Sequence, residues 1–365
     1  MTNTRNDWEQ RFQSLSIESR AFINGEYRPA ISGDTFECLS PVDGRFLASV
    51  ASTDEADANL AVEVARQSFN SGVWANKAPA ERKRILTRFA DLILQHQEEL
   101  ALLETLDMGK PISDSMSIDI PATANAIRWS AEAIDKIYDE VAATPHDQLG
   151  LVTREPSGVV AAIVPWNFPL IMASWKFAPA LAAGNSFILK PSEKSPLTAI
   201  RIAQLALDAG IPKGVFNVLP GFGHTVGKAL ALHMDVDVLA FTGSTAIAKQ
   251  LMIYAGQSNM KRVWLEAGAR ARTWCLPTPR TCAQQPRLPP APSPSIRAKC
   301  APPVRVCWSS VRSASNSFRC WWKRCKRGNR GMRSTRRPPL ARWSISDNWT
   351  TCCATSASVA SRAPS

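Results

Sequence analysis

The spacing of apolar residues changes at Gly158, and the two halves of the pattern predict different structures. Before Gly158, apolar residues recur at helical spacing in segments that begin at polar caps and end at glycine or proline. An Asn-Gly pair between apolar flanks adds a predicted hairpin. The predicted elements are helices from residues 52–54 onward, from about residue 79 to residue 109 and at residues 122–140, a hairpin at residues 22–27, and an exposed strand at residues 149–154.

After Gly158, short apolar runs of strand length alternate with segments of helical period. Ser195 is the expected cap of one helix, with Pro196 at its first position. Helices between successive strands imply right-handed crossovers, so the fold class predicted is α/β with a parallel, doubly wound sheet. The strands are predicted at residues 159–164, 187–189, 215–219, 236–241 and 262–265, and the helices at residues 170–183, 196–209, 224–232 and 245–255.

Two glycine-containing turns follow neighbouring predicted strands. The first, GFGHTVG at residues 221–227, is one residue longer than the GxGxxG fingerprint, and the second is FTGST at residues 241–245. Small residues and free backbone N–H groups at a helix start suit a pyrophosphate. A plain strand-to-helix turn is the alternative for each motif, and the pair is better evidence for a nucleotide than either alone.

Three more polar signals lie where predicted strands end, which is where doubly wound sheets bind ligands. The tetrapeptide from Lys190 to Glu193 offers a cation and a carboxylate for a ribose, or is a solvated loop. Two prolines bracket Asn167 in PWNFP, a rigid loop that could aim the amide at an oxyanion. Glu266 ends the last strand beside small residues and is either a general base or a surface charge.

Charge divides the 365 residues into two unlike pieces. Residues 1–269 carry 24 Lys and Arg against 30 Asp and Glu, whereas residues 270–365 carry 19 basic residues and one acid. Eight of the nine cysteines and six of the twelve tryptophans also follow residue 270. We found neither an apolar stretch long enough to span a bilayer nor a secretory signal, so a cytoplasmic protein without a membrane partner is expected.

In order and spacing, the runs IVPWNFPL, ALAAGN, KPSEKSPL, FTGST and VWLEAG resemble the NAD(P)-dependent aldehyde dehydrogenase superfamily. The similarity extends outward through FINGEY, LLETLDMGKP and AIRWSAEAIDKIYDE, and covers residues 1–268 almost without gaps. Among family members the chain looks most similar to the γ-glutamyl-γ-aminobutyraldehyde dehydrogenases of putrescine degradation. The resemblance implies a Rossmann-like cofactor domain and oxidation of an aldehyde, expected to be an aminoaldehyde, to its carboxylic acid.

The resemblance also implies roles for individual residues. Glu266 would be the base that activates the deacylating water, Asn167 the oxyanion donor, and Lys176 a lysine near the catalytic centre. Lys190 and Glu193 would hold the adenosine ribose, and the charge of Glu193 favours NAD, with NADP the alternative. The other residues expected to line the cofactor are Ile163, Val164, Pro165, Trp166, Ser192, Gly223, Gly227, Phe241, Thr242, Gly243 and Ser244.

The family's chemistry needs a cysteine, and this chain lacks it at the matching position. A thiolate attacks the aldehyde carbon, and the thioester left after hydride transfer is hydrolysed to the acid. In the family that cysteine stands in an N-x-G-x-x-C context after the base. The matching residue here is Ala301, next to Cys300 in the unrelated run SIRAKCAPP. We therefore expect the chain to be inactive.

A one-base deletion near codon 269 explains the loss. Residues 268–275 can be written GGC GCA AGA GCG CGA ACA TGG TGT, which becomes GGC GGC AAG AGC GCG AAC ATG GTG when one G is restored. The restored reading, GGKSANMV, is the family's continuation. When the codons of residues 295–301 are read in the same restored frame, they can encode NQGKVC, which matches the N-x-G-x-x-C context of the family's cysteine. The predicted domains are therefore residues 1–268, with N-terminal helices and the cofactor domain, and residues 269–365, an out-of-frame and disordered basic tail that replaces the catalytic domain.

The tail also has an interpretation at face value. WWKRCKR at residues 321–327 interleaves aromatic and basic residues as a nucleic-acid binder does, and paired cysteines suggest metal ligands. The cysteine spacing fits no zinc pattern and the tail has no histidine, so no metal is expected. A nucleotide-binding pseudoenzyme and a basic nucleic-acid binder without sequence specificity are the alternative functions. The resemblance implies that intact family members form homo-oligomers through a strand that corresponds to residues 149–154. This chain is expected not to form them.

Overall fold

A computed structural model describes residues 5–268 of the chain. The first half contains helix α1 (Arg5–Gln13), strands β1 (Ala21–Ile23), β2 (Glu26–Arg28), β3 (Thr35–Leu39) and β4 (Phe46–Ala51), helices α2 (Glu55–Asn70), α3 (Pro79–Gln95), α4 (Gln97–Met108) and α5 (Ile112–Asp114), a π-helical turn (Ser115–Asp119), helix α6 (Ile120–Ala133), and strands β5 (Glu140–Ala142) and β6 (Gly150–Val152).

Strands and helices alternate in the second half, as the apolar pattern predicts. The elements are β7 (Val159–Ile163), α7 (Pro169–Ala182), β8 (Ser186–Lys190), α8 (Leu197–Ala209), β9 (Phe216–Val218), a second π-helical turn (Gly223–Gly227), α9 (Lys228–Leu232), β10 (Val238–Gly243), α10 (Thr245–Gln257) and β11 (Arg262–Ala267). Each predicted strand and helix of this region is present, with ends that differ by a few residues.

Seven strands form one sheet in the order β11-β10-β7-β8-β9-β1-β2. The five strands from β7 to β11 are parallel, and the hairpin of β1 and β2 joins them antiparallel beside β9. Asn24 and Gly25 form the hairpin turn with φ of 57° and 75°, the left-handed values that an Asn-Gly turn favours. The prediction of a parallel α/β sheet is confirmed, and the hairpin extends it.

Alternate side chains of β7 face two separate cores, which is why helices cover both faces of the sheet. Val160 and Ala162 pack in a cluster with α3, α4, α6, α7 and α8, whereas Val159 and Ala161 pack in a second cluster with α2, α9 and α10. All five residues of β7 are buried. The sheet is therefore doubly wound, with helices covering both of its faces.

Two helix boundaries differ from the sequence prediction. The helix predicted from residue 79 to residue 109 is two helices, α3 and α4, which meet at His96. Ile93 and Leu100 are both buried and lie seven residues apart, so the apolar spacing continues through the break and does not reveal it. The helix predicted at residues 122–140 ends at Ala133, and the apolar Ile137 and Tyr138 beyond that end are exposed instead of packing on the core.

The cap of α8 is the other correction. Ser195 does not cap the helix; its hydroxyl donates instead to the Trp166 carbonyl at 3.2 Å. The Leu197 amide at the start of α8 donates to Asp107 Oδ2 at 2.8 Å, and the Cys38 thiol donates to Asp107 Oδ1 at 3.1 Å. A carboxyl group from α4 thus takes the place of the local cap, which no short-range pattern could predict.

Removing this distant cap should cost more stability than removing the local hydroxyl. We expect Asp107→Ala to lower the free energy of unfolding by about 2 kcal/mol, because the buried Leu197 amide loses its acceptor. Ser195→Ala removes one hydrogen bond and should cost about 1 kcal/mol or less. Urea unfolding of the two variants measures the difference. Equal losses, or a larger loss for Ser195→Ala, would contradict this account of the cap.

Two features of the surface complete the fold. Among residues 5–268, strands β5 and β6 pair only with each other, and they are largely exposed: Val141 and Leu151 are each more than 60% accessible. Within residues 5–268, none of the helices is both long enough and apolar enough to cross a membrane.

Candidate functional site

The carboxyl ends of the parallel strands bring the predicted site residues to one edge of the sheet. Strand β7 is first in the chain and lies between β8 and β10, so connections leave it and β10 toward opposite faces. A crevice at such a switch point is where open α/β sheets bind their ligands. The loops that follow β7, β8 and β10 all carry residues predicted from the sequence.

Glu266, at the end of β11, is held by two neighbours. Lys176 Nζ, on α7, lies 2.6 Å from Glu266 Oε1, and Thr242 Oγ1, on β10, donates to Glu266 Oε2 at 3.0 Å. The parallel register pairs Thr242 directly with Glu266, which explains the second contact. The Lys176 side chain is 9% exposed and that of Glu266 is 51% exposed. The structure therefore joins two predicted catalytic residues with one predicted cofactor residue.

These contacts determine the charge of Glu266. Partial burial works against its charged form, but the hydrogen bonds from Lys176 and Thr242 outweigh burial and hold the pKa of the carboxyl below its ordinary 4.5. Glu266 is consequently a carboxylate at neutral pH. A carboxylate in an ion pair is a weak base, and it gains proton affinity when it moves away from the lysine.

Lys190, at the end of β8, is a buried ammonium. Its side chain is 2% exposed, and Nζ lies 3.6 Å from Glu193 Oε2. Burial lowers the pKa of Lys190 to about 8, while the Glu193 carboxylate acts in the opposite direction. At 3.6 Å the contact with Glu193 is too long for a good hydrogen bond, so the ammonium keeps donor capacity for a third group.

Gly227 lies against Lys190 and Ile163. A Cβ at Gly227 would stand 3.6 Å from Ile163 Cδ1 and 3.9 Å from Lys190 Cδ, so the buried glycine lies directly against these two side chains and a methyl group would fit in ordinary contact with them. At Gly223, in the same π-helical turn, a Cβ would meet nothing within 4 Å. The glycine turn therefore packs on the ends of β7 and β8, and the exposed Gly223 is its open end.

The loop after β7 is tied to the loop after β8. The Val164 amide donates to the Lys190 carbonyl at 3.2 Å, and the Ser195 hydroxyl reaches the Trp166 carbonyl. Pro165 and Trp166 are half-buried, whereas Asn167 is exposed. Within residues 5–268 the Asn167 amide has no hydrogen-bond partner, so its donors are free.

The second glycine turn is closed by its own residues. Gly243 packs on the ring of Phe241, and a Cβ there would approach Phe241 Cζ to 2.5 Å. Ser244 caps α10 by accepting a hydrogen bond from the Ile247 amide at 3.3 Å. Ser192 accepts from the Lys194 amide within its own loop. Cys300 and Ala301 lie outside the described residues.

Comparison with known proteins gives the family of this site. Residues 27–278 match the model of the aldehyde dehydrogenase family. The chain belongs to the aldehyde dehydrogenase family. It is 58% identical over 264 residues to the NADP/NAD-dependent aldehyde dehydrogenase PuuC of Escherichia coli (strain K12), covering 72% of this chain and 53% of that protein.

Two solved aldehyde dehydrogenase structures match with similar extent. Indole-3-acetaldehyde dehydrogenase complexed with NAD+ is 75% identical, with a TM-score of 0.73, and covers 73% of this chain and 54% of that chain. The γ-glutamyl-γ-aminobutyraldehyde dehydrogenase of Burkholderia cenocepacia J2315 is 62% identical, with a TM-score of 0.72 and the same coverage of both chains. The chain thus spans about half the length of the aldehyde dehydrogenases that it matches.

Sequence reasoning missed three contacts of this site. Thr242 was expected at the cofactor and also holds Glu266. Ser195 was expected as a cap and instead bridges two loops. Lys110, in LLETLDMGKP, was given no role, yet it contacts the loop that carries Asn167. Only the parallel pairing of β10 with β11 could have suggested the first contact, since the other two join segments far apart in sequence.

Proposed function

We propose that residues 1–268 form an NAD-binding aldehyde dehydrogenase domain and that the 365-residue chain itself does not oxidise aldehydes. The observation that carries the proposal is the meeting of predicted site residues at the carboxyl edge of the parallel sheet, where Lys190 contacts Glu193 at the end of β8 and Lys176 pairs with Glu266 at the end of β11. In the restored frame the gene would encode an enzyme that oxidises an aldehyde to a carboxylic acid. We propose residues 269–365 as an out-of-frame replacement for its catalytic domain.

The residues present fit a dinucleotide. Lys190 offers a buried ammonium with donor capacity left, and Glu193 offers carboxylate oxygens beside it, a pair suited to the hydroxyls of a ribose. Gly223 leaves open space at the start of a helical segment, and Gly227 lies against Lys190 in the same turn. NAD is favoured over NADP, because a 2′-phosphate would face the negative charge of Glu193.

The chemistry expected of the restored enzyme divides among a few residues. When bound, NAD supplies the acceptor for the hydride that leaves the substrate carbon. Asn167 has free amide donors that can stabilise an oxyanion on that carbon. Glu266 can take a proton from the deacylating water once it leaves Lys176, and the ammonium of Lys176 holds the carboxylate until then. The nucleophile would be the cysteine of the restored frame.

The substrate class proposed is an aminoaldehyde, such as γ-glutamyl-γ-aminobutyraldehyde. The resemblance to the enzyme of that name, at 62% identity, supports it. The 75% identity to an indole-3-acetaldehyde dehydrogenase makes indole-3-acetaldehyde the competing substrate to be tested beside it. Half of the relatives' length has no counterpart in this chain, so the pocket that selects between the two is proposed to lie in the restored frame.

NAD+ binding by the purified chain tests the site without any turnover. We expect Lys190→Met to weaken NAD+ binding at least tenfold, because the apolar stem stays in place while charge-assisted hydrogen bonds to the ribose, each worth about 1.5–3 kcal/mol, are lost. Glu193→Gln should weaken NAD+ binding and reduce the ratio by which the chain binds NAD+ more tightly than NADP+. Isothermal titration calorimetry with both dinucleotides measures these changes.

Lys194 provides the matched control, since it lies in the same loop and is exposed. Lys194→Met should bind NAD+ as the unmodified chain does. Absence of NAD+ binding by the unmodified, folded chain would refute the proposed site. An equal loss of NAD+ affinity in Lys190→Met and Lys194→Met would show that the total charge of the loop, and not the position of Lys190, determines binding.

A further inference from the structure

Lys110, in the turn after α4, holds a buried charge next to the candidate site. Its side chain is 7% exposed, and Nζ lies 2.7 Å from both carboxylate oxygens of Asp119, whose side chain is 1% exposed. Asp119 ends the π-helical turn of Ser115–Asp119 and thereby faces back toward α4. Turns of this kind occur often at functional sites, where they redirect a side chain.

The same ammonium lies over the ring of Phe168. Lys110 Nζ is 4.0 Å from the ring centroid, well within cation–π range, and Phe168 is 39% exposed. Phe168 follows Asn167 directly in PWNFP, and the Asn167 amide has no polar partner of its own among residues 5–268. The ring contact is therefore an attachment that can fix this end of the loop.

The energetics of the ion pair point to a role other than stability. Burying an ammonium and a carboxylate together seldom stabilises a fold more than apolar side chains of the same volume would. The Lys110–Asp119 pair is almost fully buried and still places its cation against Phe168. Three residues earlier, Asp107 binds the first amide of α8, so the end of α4 contacts the segments that follow both β7 and β8.

We infer that Lys110 is a positioning residue for the loop after β7: fixed by Asp119, its ammonium holds Phe168 through a cation–π contact and thereby orients the Asn167 amide. The inference rests on the proposed function in so far as Asn167 is the oxyanion donor. Among residues 5–268, Lys110 forms its polar and ring contacts with Asp119 and Phe168 and contacts neither Lys190 nor Glu266, so it acts through Phe168.

Nuclear magnetic resonance of the full 365-residue chain, labelled with 15N-phenylalanine, tests the inference without a ligand. The Phe168 amide is identified by its loss in Phe168→Leu, and the buried Phe187 and Phe216 serve as internal controls. We expect an order parameter of about 0.85 for Phe168 in the unmodified chain and below about 0.6 in Lys110→Met, with Phe187 and Phe216 unchanged. Lys110→Arg keeps a cation for the ring and should restore the order.

Lys110→Met leaves the Asp119 carboxylate buried without its partner, and the variant could unfold for that reason alone. Lys110→Met/Asp119→Leu removes both charges and separates the two effects. Loss of order confined to Phe168 in this double variant supports the inference. An ordered Phe168 in either folded variant overturns it, as does a failure of Lys110→Arg to restore order in a folded chain.

NAD+ titration of the same samples keeps this inference separate from the proposed function. We expect Lys110→Met/Asp119→Leu to weaken NAD+ binding, because the loop that loses order also carries Pro165 and Trp166, which are expected to line the cofactor. If the unmodified chain bound no NAD+ while Phe168 still lost order in the variants, the proposed function would fail and the positioning role would stand. If the unmodified chain bound NAD+ but the order of Phe168 were the same in the variants, the positioning role would fail and the proposed function would stand.

Discussion

The purified 365-residue chain is expected to form no NADH from γ-glutamyl-γ-aminobutyraldehyde or indole-3-acetaldehyde, whereas the same gene with one G restored in codon 269 should yield an active enzyme. The reason is chemical, because hydride leaves only after a nucleophile has added to the aldehyde carbon. This chain has Ala301 at the position of the nucleophile, and Cys300 stands in an unrelated context. Absorbance at 340 nm with both aldehydes and NAD+ measures the difference.

Glu266→Gln in the frame-restored enzyme is the matched control. The Gln side chain retains the shape and can still accept from Thr242, but it cannot take a proton from water. We expect a normal first turnover followed by a rate at least about 100-fold below that of the restored enzyme, because hydrolysis of the thioester becomes limiting. NADH formation by the 365-residue chain, in excess of a mock purification, would disprove the assignment of the lesion.

The stability of the chain should fall as the pH rises from 5.5 to 8.5, and Glu104→Gln should remove much of that fall. Glu104 is completely buried in α4, and within residues 5–268 neither of its carboxyl oxygens has a hydrogen-bond partner. Burial, with the nearby Asp119 carboxylate, raises the pKa of Glu104 from 4.5 to about 8.

The direction follows from proton binding. Between pH 4.5 and 8 the folded chain keeps the proton on Glu104 while the unfolded chain releases it, so the free energy of unfolding declines as pH rises. The contribution is complete below pH 4.5 and is lost by the time the pH has passed 8. The loss is about 5 kcal/mol at most, since one pKa unit corresponds to about 1.4 kcal/mol. Asp107, whose pKa burial raises to about 7, adds to the same trend.

Urea unfolding at pH 5.5, 7.0 and 8.5 measures this prediction. The measurements begin at pH 5.5 because carboxylates with lowered pKa values, such as Asp135, titrate at lower pH. Their titration makes the free energy of unfolding rise with pH, which would oppose the effect of Glu104. The exposed Glu55 on α2 gives the control Glu55→Gln, which should keep the pH dependence of the unmodified chain. Parallel curves for Glu104→Gln and the unmodified chain would mean that Glu104 is not protonated in the fold.

Local spacing was sufficient for the parallel part of the sheet. Each strand from β7 to β11 is a short and mainly apolar run, and the topology places the segments that follow β7, β8 and β10 at one carboxyl edge. For Lys176 and Glu266, the family resemblance predicted only that both residues lie near the catalytic centre, and it did not predict that they form an ion pair. Its distance of 2.6 Å depends on how α7 packs beside β11.

Contacts between distant segments were beyond the sequence pattern. Asp107 caps α8 across 90 residues, and nothing near Leu197 reveals that its partner is a carboxyl group on another helix. The break at His96 was hidden because the buried faces of α3 and α4 stay in phase across it. Lys110 and Asp119 resemble ordinary surface charges until the π-helical turn places both inside. Tertiary packing decides these features, and a linear pattern carries no record of it.

Because the thiol of Cys38 is buried, residues 1–268 are expected not to react with thiol reagents while they stay folded. Burial first, then the Asp107 carboxylate, raises the pKa of Cys38 far above its ordinary value, so almost no reactive thiolate forms in the folded chain. Cys38 is also the one cysteine among residues 1–268, and the other eight all follow residue 270. A maleimide that reacts with the chain while β3 stays packed on α4 is therefore expected to label only cysteines after residue 270. The rate at which Cys38 becomes modified would measure how often β3 separates from α4.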